Sequence, residues 1–413
     1  MQLKDIRFTL ILTLLFIIIA PFIQITNKYY IISLLILLAI LHVLAHLRKN
    51  RLDRLITGSL FIIFLASYLI FNNVEQKVLA LRTASITAFL LLNLVLLIGP
   101  WTRFKPSLIK YYKDKRHLGV TVLLLALVHF SLVFRDYFNY SIYQEFQASF
   151  TFFGSTALFI LILLGITSWD YLQKHFNLRL WKLIHFLSLL SYLGMTYIFY
   201  TIYGSLTTFE IIIIILFILY WIIVAPYSLA KKIIHEANGW KQLHVLIYVA
   251  YAALILHIWN GPLKLQGLWL KILFILIISF TILSHLIGWI IKYKEDAKIK
   301  KEMAKLGKDN HGFIPVEKVE NFEENKGKRF IVNNNEVAVF KYQSKFIAVS
   351  NVCRHQKGPI YQGKIMQGCI YCPWHNWSYS IKDGSASPPH KDRLPYYETK
   401  VVDNIVYVSK NPL

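Results

Sequence analysis

Apolar runs about twenty residues long, parted by short polar loops, fill the first three-quarters of the chain, and short alternating segments fill the rest. Ten of the runs approach the ~20 residues that cross a bilayer as a helix, at 8–25, 30–46, 56–71, 84–101, 118–134, 150–168, 180–200, 209–227, 243–259 and 268–293. The first carries no small-residue cleavage site and reads as a retained span, not a signal peptide. After residue 311 the period changes. RFIVNNNEVAVFKYQSKFIAVSN, residues 329–351, alternates apolar and polar side chains around an Asn-rich turn, as a meander of short strands does. WSYSIKDGSAS and YETKVVDNIVYVS each predict a further hairpin, the first turning at Lys382, Asp383 and Gly384. The predicted fold is a polytopic α-helical membrane domain of about ten spans joined to a small all-β domain.

Composition agrees, since 56% of the 413 residues are hydrophobic and the formal net charge is +23. The cations are placed unevenly. Segments 47–54, 102–117, 173–182, 230–234 and 292–308 are rich in Lys and Arg and fall on one side of the predicted spans, whereas 73–83, 137–147 and 201–208 are sparse in both. The positive-inside rule then puts both termini and the β domain in the cytoplasm. An integral protein of a bacterial cytoplasmic membrane is expected. Cations so placed face anionic lipid, so the charge needs no nucleic-acid partner.

All the Cys lie in the β domain. Cys353-x-His355 and Cys372-x-x-His375, with sixteen residues between them, each offer one thiolate and one imidazole from a single loop. Such a set suits a tetrahedral zinc or a [2Fe–2S] centre with two Cys on one iron and two His on the other. With Gly358, Pro359 and Gly363 as turn residues behind the first loop, the C-x-H…C-P-W-H form resembles the Rieske iron–sulfur fold, over residues 312–413. The resemblance implies one [2Fe–2S] cluster on Cys353, His355, Cys372 and His375, with SPPH (387–390) as a covering loop. Trp374 stands where quinol-oxidising relatives carry a disulfide Cys, so the ferredoxin-type branch is expected, with Cys369 a small buried residue. Asn376 stands where the family has Gly.

Histidines recur inside the predicted spans, where ionisable side chains are costly and point to function. His117 and His129 are twelve residues apart on one span, and His244 and His257 thirteen apart on another. At ~1.5 Å per residue each pair covers ~18–20 Å of depth, room for two stacked haems. His42, His46 and His285 read as interfacial or hydrogen-bonded residues. TASITAFLLLNLVLLIGPWTRF, KRHLGVTVLLLALVHF and LWKLIHFLSLLSYLGM resemble the ferric-reductase-like transmembrane domain, which holds b-type haem through His on its third and fifth helices. The resemblance matches His129 to the third-helix ligand and His185 to the first fifth-helix ligand. WKLIHFLSLLSY (181–192) and WKQLHVLIYVAY (240–251) repeat one unit, and the second copy keeps two His. One or two b haems are expected, the outer on His129 and His257 and the inner on two of His117, His185 and His244. Arg116, Lys182 and Lys241 are candidate propionate partners.

The expected organisation is N-terminal helices at 1–55, the haem domain at 56–292, a basic linker at 293–311 and the Rieske domain at 312–413. Together these predict a membrane oxidoreductase resembling ferric reductases. Electrons would pass from a cytoplasmic ferredoxin or flavoprotein, by cluster and haems, to an acceptor on the opposite side. No G-x-G-x-x-G fingerprint follows a strand, so the β domain takes the place of a flavin module. Two rivals stand beside this reading. A membrane-anchored Rieske oxygenase component would carry a non-haem iron domain, and none lies between the β domain and Leu413. A non-enzymatic redox sensor would lack haem.

Overall fold

The structure is a computed structural model. It describes residues 51–70, 75–105, 115–141, 149–167, 208–219, 246–307 and 310–413, except 355–357, 375 and 389–391, with scattered positions between these segments. The chain divides into two compact units, one of residues 1–96 and 114–281 and the other of 97–113 and 282–413.

Seven helices are described: α1 (Arg51–Ile70), α2 (Gln76–Phe104), α3 (Lys115–Asp136), α4 (Ser149–Thr167), α5 (Thr208–Leu219), α6 (Leu246–Asn260) and α7 (Leu268–Lys305). In lipid every backbone polar group must be satisfied within the segment, which leaves such apolar sequences only the helix. Among the described residues, Leu81–Phe104, Leu118–Asp136 and Leu268–Lys305 are long and apolar enough to cross a membrane. Thr57–Ala66, Phe150–Ile166 and Leu246–Asn260 are shorter apolar helices. The expected spans at 8–25, 30–46 and 180–200 lie wholly or largely outside the described residues.

In the first unit, Phe152, Phe153 and Ala157 of α4 form a buried cluster with Ala253 of α6. The alanines let the two backbones approach closely, as apolar helices in lipid require. A polar clasp ties three helices together. Asn93 Oδ1 on α2 accepts from the Tyr251 hydroxyl of α6 at 2.6 Å and from the Thr281 hydroxyl of α7 at 2.8 Å. The Asn93 amide donates to Phe89 O at 2.8 Å, so this buried amide is satisfied on both its atoms. His42, read as interfacial or hydrogen-bonded, has its Nδ1 3.1 Å from Thr57 Oγ1.

The second unit holds the C-terminal end of α2, the rest of α7 and the β domain. Arg103 donates to Gly288 O at 2.8 Å, and a Cβ on Gly288 would lie 3.1 Å from Pro100, so the small residue permits the crossing. α7 does not stop where its apolar run ends. The segment expected as a basic linker, 293–311, stays helical as far as Lys305.

Ten strands follow: β1 (Phe313–Lys318), β2 (Gly327–Val332), β3 (Asn335–Tyr342), β4 (Lys345–Ser350), β5 (Lys364–Met366), β6 (Cys369–Tyr371), β7 (Ser378–Ser380), β8 (Tyr396–Tyr397), β9 (Thr399–Val402) and β10 (Ile405–Ser409). They form three sheets in the orders β1-β10-β9, β2-β3-β4-β8 and β5-β6-β7. The hairpin turns Asn333–Asn334, Gln343–Ser344 and Asp403–Asn404 all have positive φ at both residues, between 46° and 62°. Two-residue turns of this hand match the strands' twist. β3 is buried on both faces. Val337 and Val339 join one core with Val316, Val332, Val406, Val408 and Met303, while Ala338 and Phe340 join another with Cys353, Cys372 and Tyr379. The period-2 alternation of a strand thus divides the domain into a basal core and a cysteine-bearing core.

Candidate redox centres

Cys353 and Cys372 are each 1% exposed and share the second core with Ile360, Ile365, Ile370 and Leu394. Two backbone contacts fix their loops: Cys353 N donates to Gly358 O at 3.0 Å, and Cys372 N to Trp377 O at 2.8 Å. A Cβ on Gly358 would lie 2.8 Å from Cys372 Sγ and 3.0 Å from the Trp374 ring. Only glycine lets the first loop close over the second sulfur. Asn376 has φ +56° and its amide closes the second turn on Cys372 O at 3.0 Å. Asn is the non-glycine residue that enters this region most readily, which accounts for its standing in a glycine position.

Tyr379 is a site residue that sequence reasoning missed. Its hydroxyl accepts from Arg354 N–H at 3.1 Å and lies 3.2 Å from Cys353 Sγ, to which it would donate once that sulfur is a thiolate ligand. Burial, reinforced by the Cys353 sulfur, pushes the phenol above its ordinary pKa, so it stays a donor. Two buried thiols, a hydroxyl aimed at one sulfur and a glycine-lined closure fit an iron–sulfur centre. His355 and His375, the predicted imidazole ligands, lie outside the described residues, as does part of the predicted covering loop. Cys369 sits half-buried on β6, its Sγ 3.9 Å from the Ser387 hydroxyl.

In the first unit, the structure brings His129 of α3 and His257 of α6 together, with ring centroids 6.5 Å apart and planes at 77°. His129 Nδ1 faces Leu81 O at 3.3 Å, and His257 Nδ1 faces Phe150 O at 3.0 Å. A carbonyl can only accept, so each Nδ1 carries the proton and each Nε2 keeps its lone pair for a metal. One iron bound by both at ~2 Å would hold the centroids about 6 Å apart, so the pair fits a bis-imidazole haem. A Cβ on Gly154 of α4 would lie 2.7 Å from His257 Nδ1, so glycine keeps space for that ring. Of the other candidates, Arg116 and His117 lie on the first turn of α3, and their side chains are outside the description. His185, His244, Lys182 and Lys241 are outside it entirely.

Two known families match separate stretches of the chain. Residues 312–398 match the Rieske [2Fe-2S] domain family, and residues 84–196 match the ferric reductase like transmembrane component family. The alkene monooxygenase system ferredoxin component of Xanthobacter autotrophicus is 28% identical over 85 residues, 20% of this chain and 70% of that protein. The anthranilate 1,2-dioxygenase ferredoxin subunit of Burkholderia cepacia is 24% identical over 96 residues, 23% of this chain and 89% of its own. A solved complex of reduced oxygenase and oxidized ferredoxin in carbazole 1,9a-dioxygenase aligns at 23% identity and TM-score 0.24, over 25% of this chain and 98% of that one.

A ferric-reductase-like transmembrane component and a C-terminal Rieske [2Fe-2S] domain are thus fused in one polypeptide. The chain is a membrane-associated redox protein of the electron-transfer class.

Proposed function

We propose that the protein conducts electrons across a membrane, from a cytoplasmic reductant to an acceptor on the opposite face. Cys353, His355, Cys372 and His375 would hold the [2Fe–2S] cluster. His129 and His257 would hold the outer b-type haem, and two of His117, His185 and His244 an inner one. When bound, these groups supply one-electron storage at successive depths. The chain's own residues supply the rest. Tyr379 would donate to Cys353 Sγ and so raise the affinity of a bound cluster for an electron. The Leu81 and Phe150 carbonyls fix which nitrogen each imidazole presents. The basic loops set the orientation, with the Rieske domain and both termini in the cytoplasm of a ten-span protein. A ferredoxin or flavoprotein is the donor this arrangement suits.

The observation that carries the reading is the His129–His257 pair, two imidazoles on separate apolar helices with their Nε2 atoms unspent. Purified protein should show the absorption of a low-spin b-type haem with two nitrogen ligands. Protein that is folded, carries its cluster and shows no haem would return the reading to a redox sensor.

A further inference from the structure

The cytoplasmic end of α7 is built into the β domain. Met303 is 6% exposed and belongs to the basal core with Val316, Val332 and Val406, and Ile299 packs against the same core. Nearer the membrane, Asp296 Oδ1 accepts from Arg329 of β2 at 2.8 Å. Nearer still, Lys292 donates to Glu336 Oε1 of β3 at 2.9 Å. Glu336 then reaches the cluster loop. Its Oε2 accepts from the Asn351 amide at 3.0 Å and its backbone carbonyl accepts from Asn351 N–H at 2.9 Å.

Asn351 is 3% exposed and is itself fully engaged, its Oδ1 accepting from Tyr361 N at 2.9 Å and its carbonyl from Ile360 N at 2.9 Å. It lies two residues before Cys353. A hydrogen-bonded chain therefore runs from α7 to the first cluster loop without leaving one compact unit. The level of that chain on the helix matters. Trp289 and Tyr293 stack at 5.8 Å on α7, exposed, where the apolar run ends. Such a pair marks the membrane interface, and Lys292 lies between them in sequence. From Lys292 to Met303 the helix rises ~16 Å, and Lys292, Asp296, Ile299 and Met303 along it each meet the β domain.

We propose that the Rieske domain is held in one fixed orientation on α7, its first cluster loop positioned at the membrane interface through Lys292, Glu336 and Asn351. Glu336 is the positioning residue. It binds the helix with one carboxylate oxygen and the cluster loop with the other. The domain reaches the membrane surface by being docked there, not by swinging on a tether. This rests on the reading of residues 312–398 as a cluster-bearing domain.

The test is EPR of the reduced cluster in oriented membrane multilayers of the full chain, with iron and sulfide measured on the same samples. A fixed dock predicts g-feature amplitudes that change several-fold as the field turns from the membrane normal to its plane. Lys292→Glu, which lies outside the β fold and sets like charges together, should lose most of that dependence at unchanged iron and sulfide. Glu336→Gln should weaken it, and Lys292→Arg should keep it. Amplitudes independent of angle in the wild type, at full cluster content, would overturn the fixed dock. Unchanged angular dependence in Lys292→Glu and Glu336→Gln would overturn the role of Glu336. Absence of iron and sulfide from the wild type would instead overturn the cluster reading, and the dock proposal with it.

Discussion

His129 and His257 sit on different helices, yet their rings stand 6.5 Å apart and nearly perpendicular, each tied by Nδ1 to a backbone carbonyl. The proposed haem ligation follows from this one relationship. Replacing either His by Ala should abolish the same low-spin haem component. Gly154→Val should do so without touching a ligand, because its Cβ alone would fall 2.7 Å from His257 Nδ1. A difference spectrum of reduced minus oxidised membranes measures all three. Retention of full haem in both His variants would exclude the pair as ligands.

Tyr379→Phe removes the hydroxyl 3.2 Å from Cys353 Sγ. A hydrogen bond to the sulfur favours the more negative, reduced cluster, so the variant's potential should fall. A loss of about 1–2 kcal/mol corresponds to roughly 40–90 mV for one electron. A redox titration followed by EPR reads the shift. An unchanged or raised potential would show that the hydroxyl does not act on the cluster.

Much of this was legible in the sequence, and the remainder was hidden for identifiable reasons. The NNN and DN turns announce two of the hairpins because Asn and Asp tolerate positive φ, and the Cys and His spacing announces the cluster. Tyr379 could not be singled out, since β-strand aromatics usually pack. Its role depends on the fold returning β7 beneath Cys353. The continuity of α7 was masked by its lysines, which suggested a linker. Ile299 and Met303, four apart among charged residues, were the available signal of a buried helix stripe. The carbonyl partners of His129 and His257 come from residues 48 and 107 positions away, beyond any local pattern.

Stability should depend on α7 as much as on the strands. In the full chain, Met303→Ala should lower the stability of the β domain by about 2–4 kcal/mol, since it empties a buried site. Denaturant unfolding followed by cluster absorption reads this. A change below about 0.5 kcal/mol would show that the helix merely rests on the domain.

The dock should also be acid-sensitive. Burial raises the Glu336 pKa, but the Lys292 ammonium, the Asn351 amide and the Arg329 guanidinium of β2 outweigh it and hold the carboxyl below its ordinary 4.5. Asp296 and Glu295 of α7 share Arg329 with it. A depressed pKa contributes stability that is complete above pH 4.5 and is lost as pH falls through the lowered value. Wild-type β-domain stability should therefore decline more steeply below pH 4.5 than that of Glu336→Gln. Parallel pH profiles would contradict the assignment.

Asn376→Gly should be neutral or mildly stabilising, and Asn376→Val should cost about 1–2 kcal/mol, because φ there is +56°. Thermal melts of the loaded protein separate the two. Equal melting of both variants would argue against a left-handed turn beside the second cluster loop.

The central claim is that electrons enter at the Rieske domain, and it is tested most directly in inside-out vesicles. A reduced soluble ferredoxin added outside, where the cytoplasmic face is exposed, should reduce the cluster first and the haems afterwards, and an impermeant ferric chelate should reoxidise the haems only from the lumen. His375→Ala should block haem reduction by that donor at unchanged haem content. Haem reduction at the wild-type rate in His375→Ala would contradict the account, because the electrons would then be entering elsewhere.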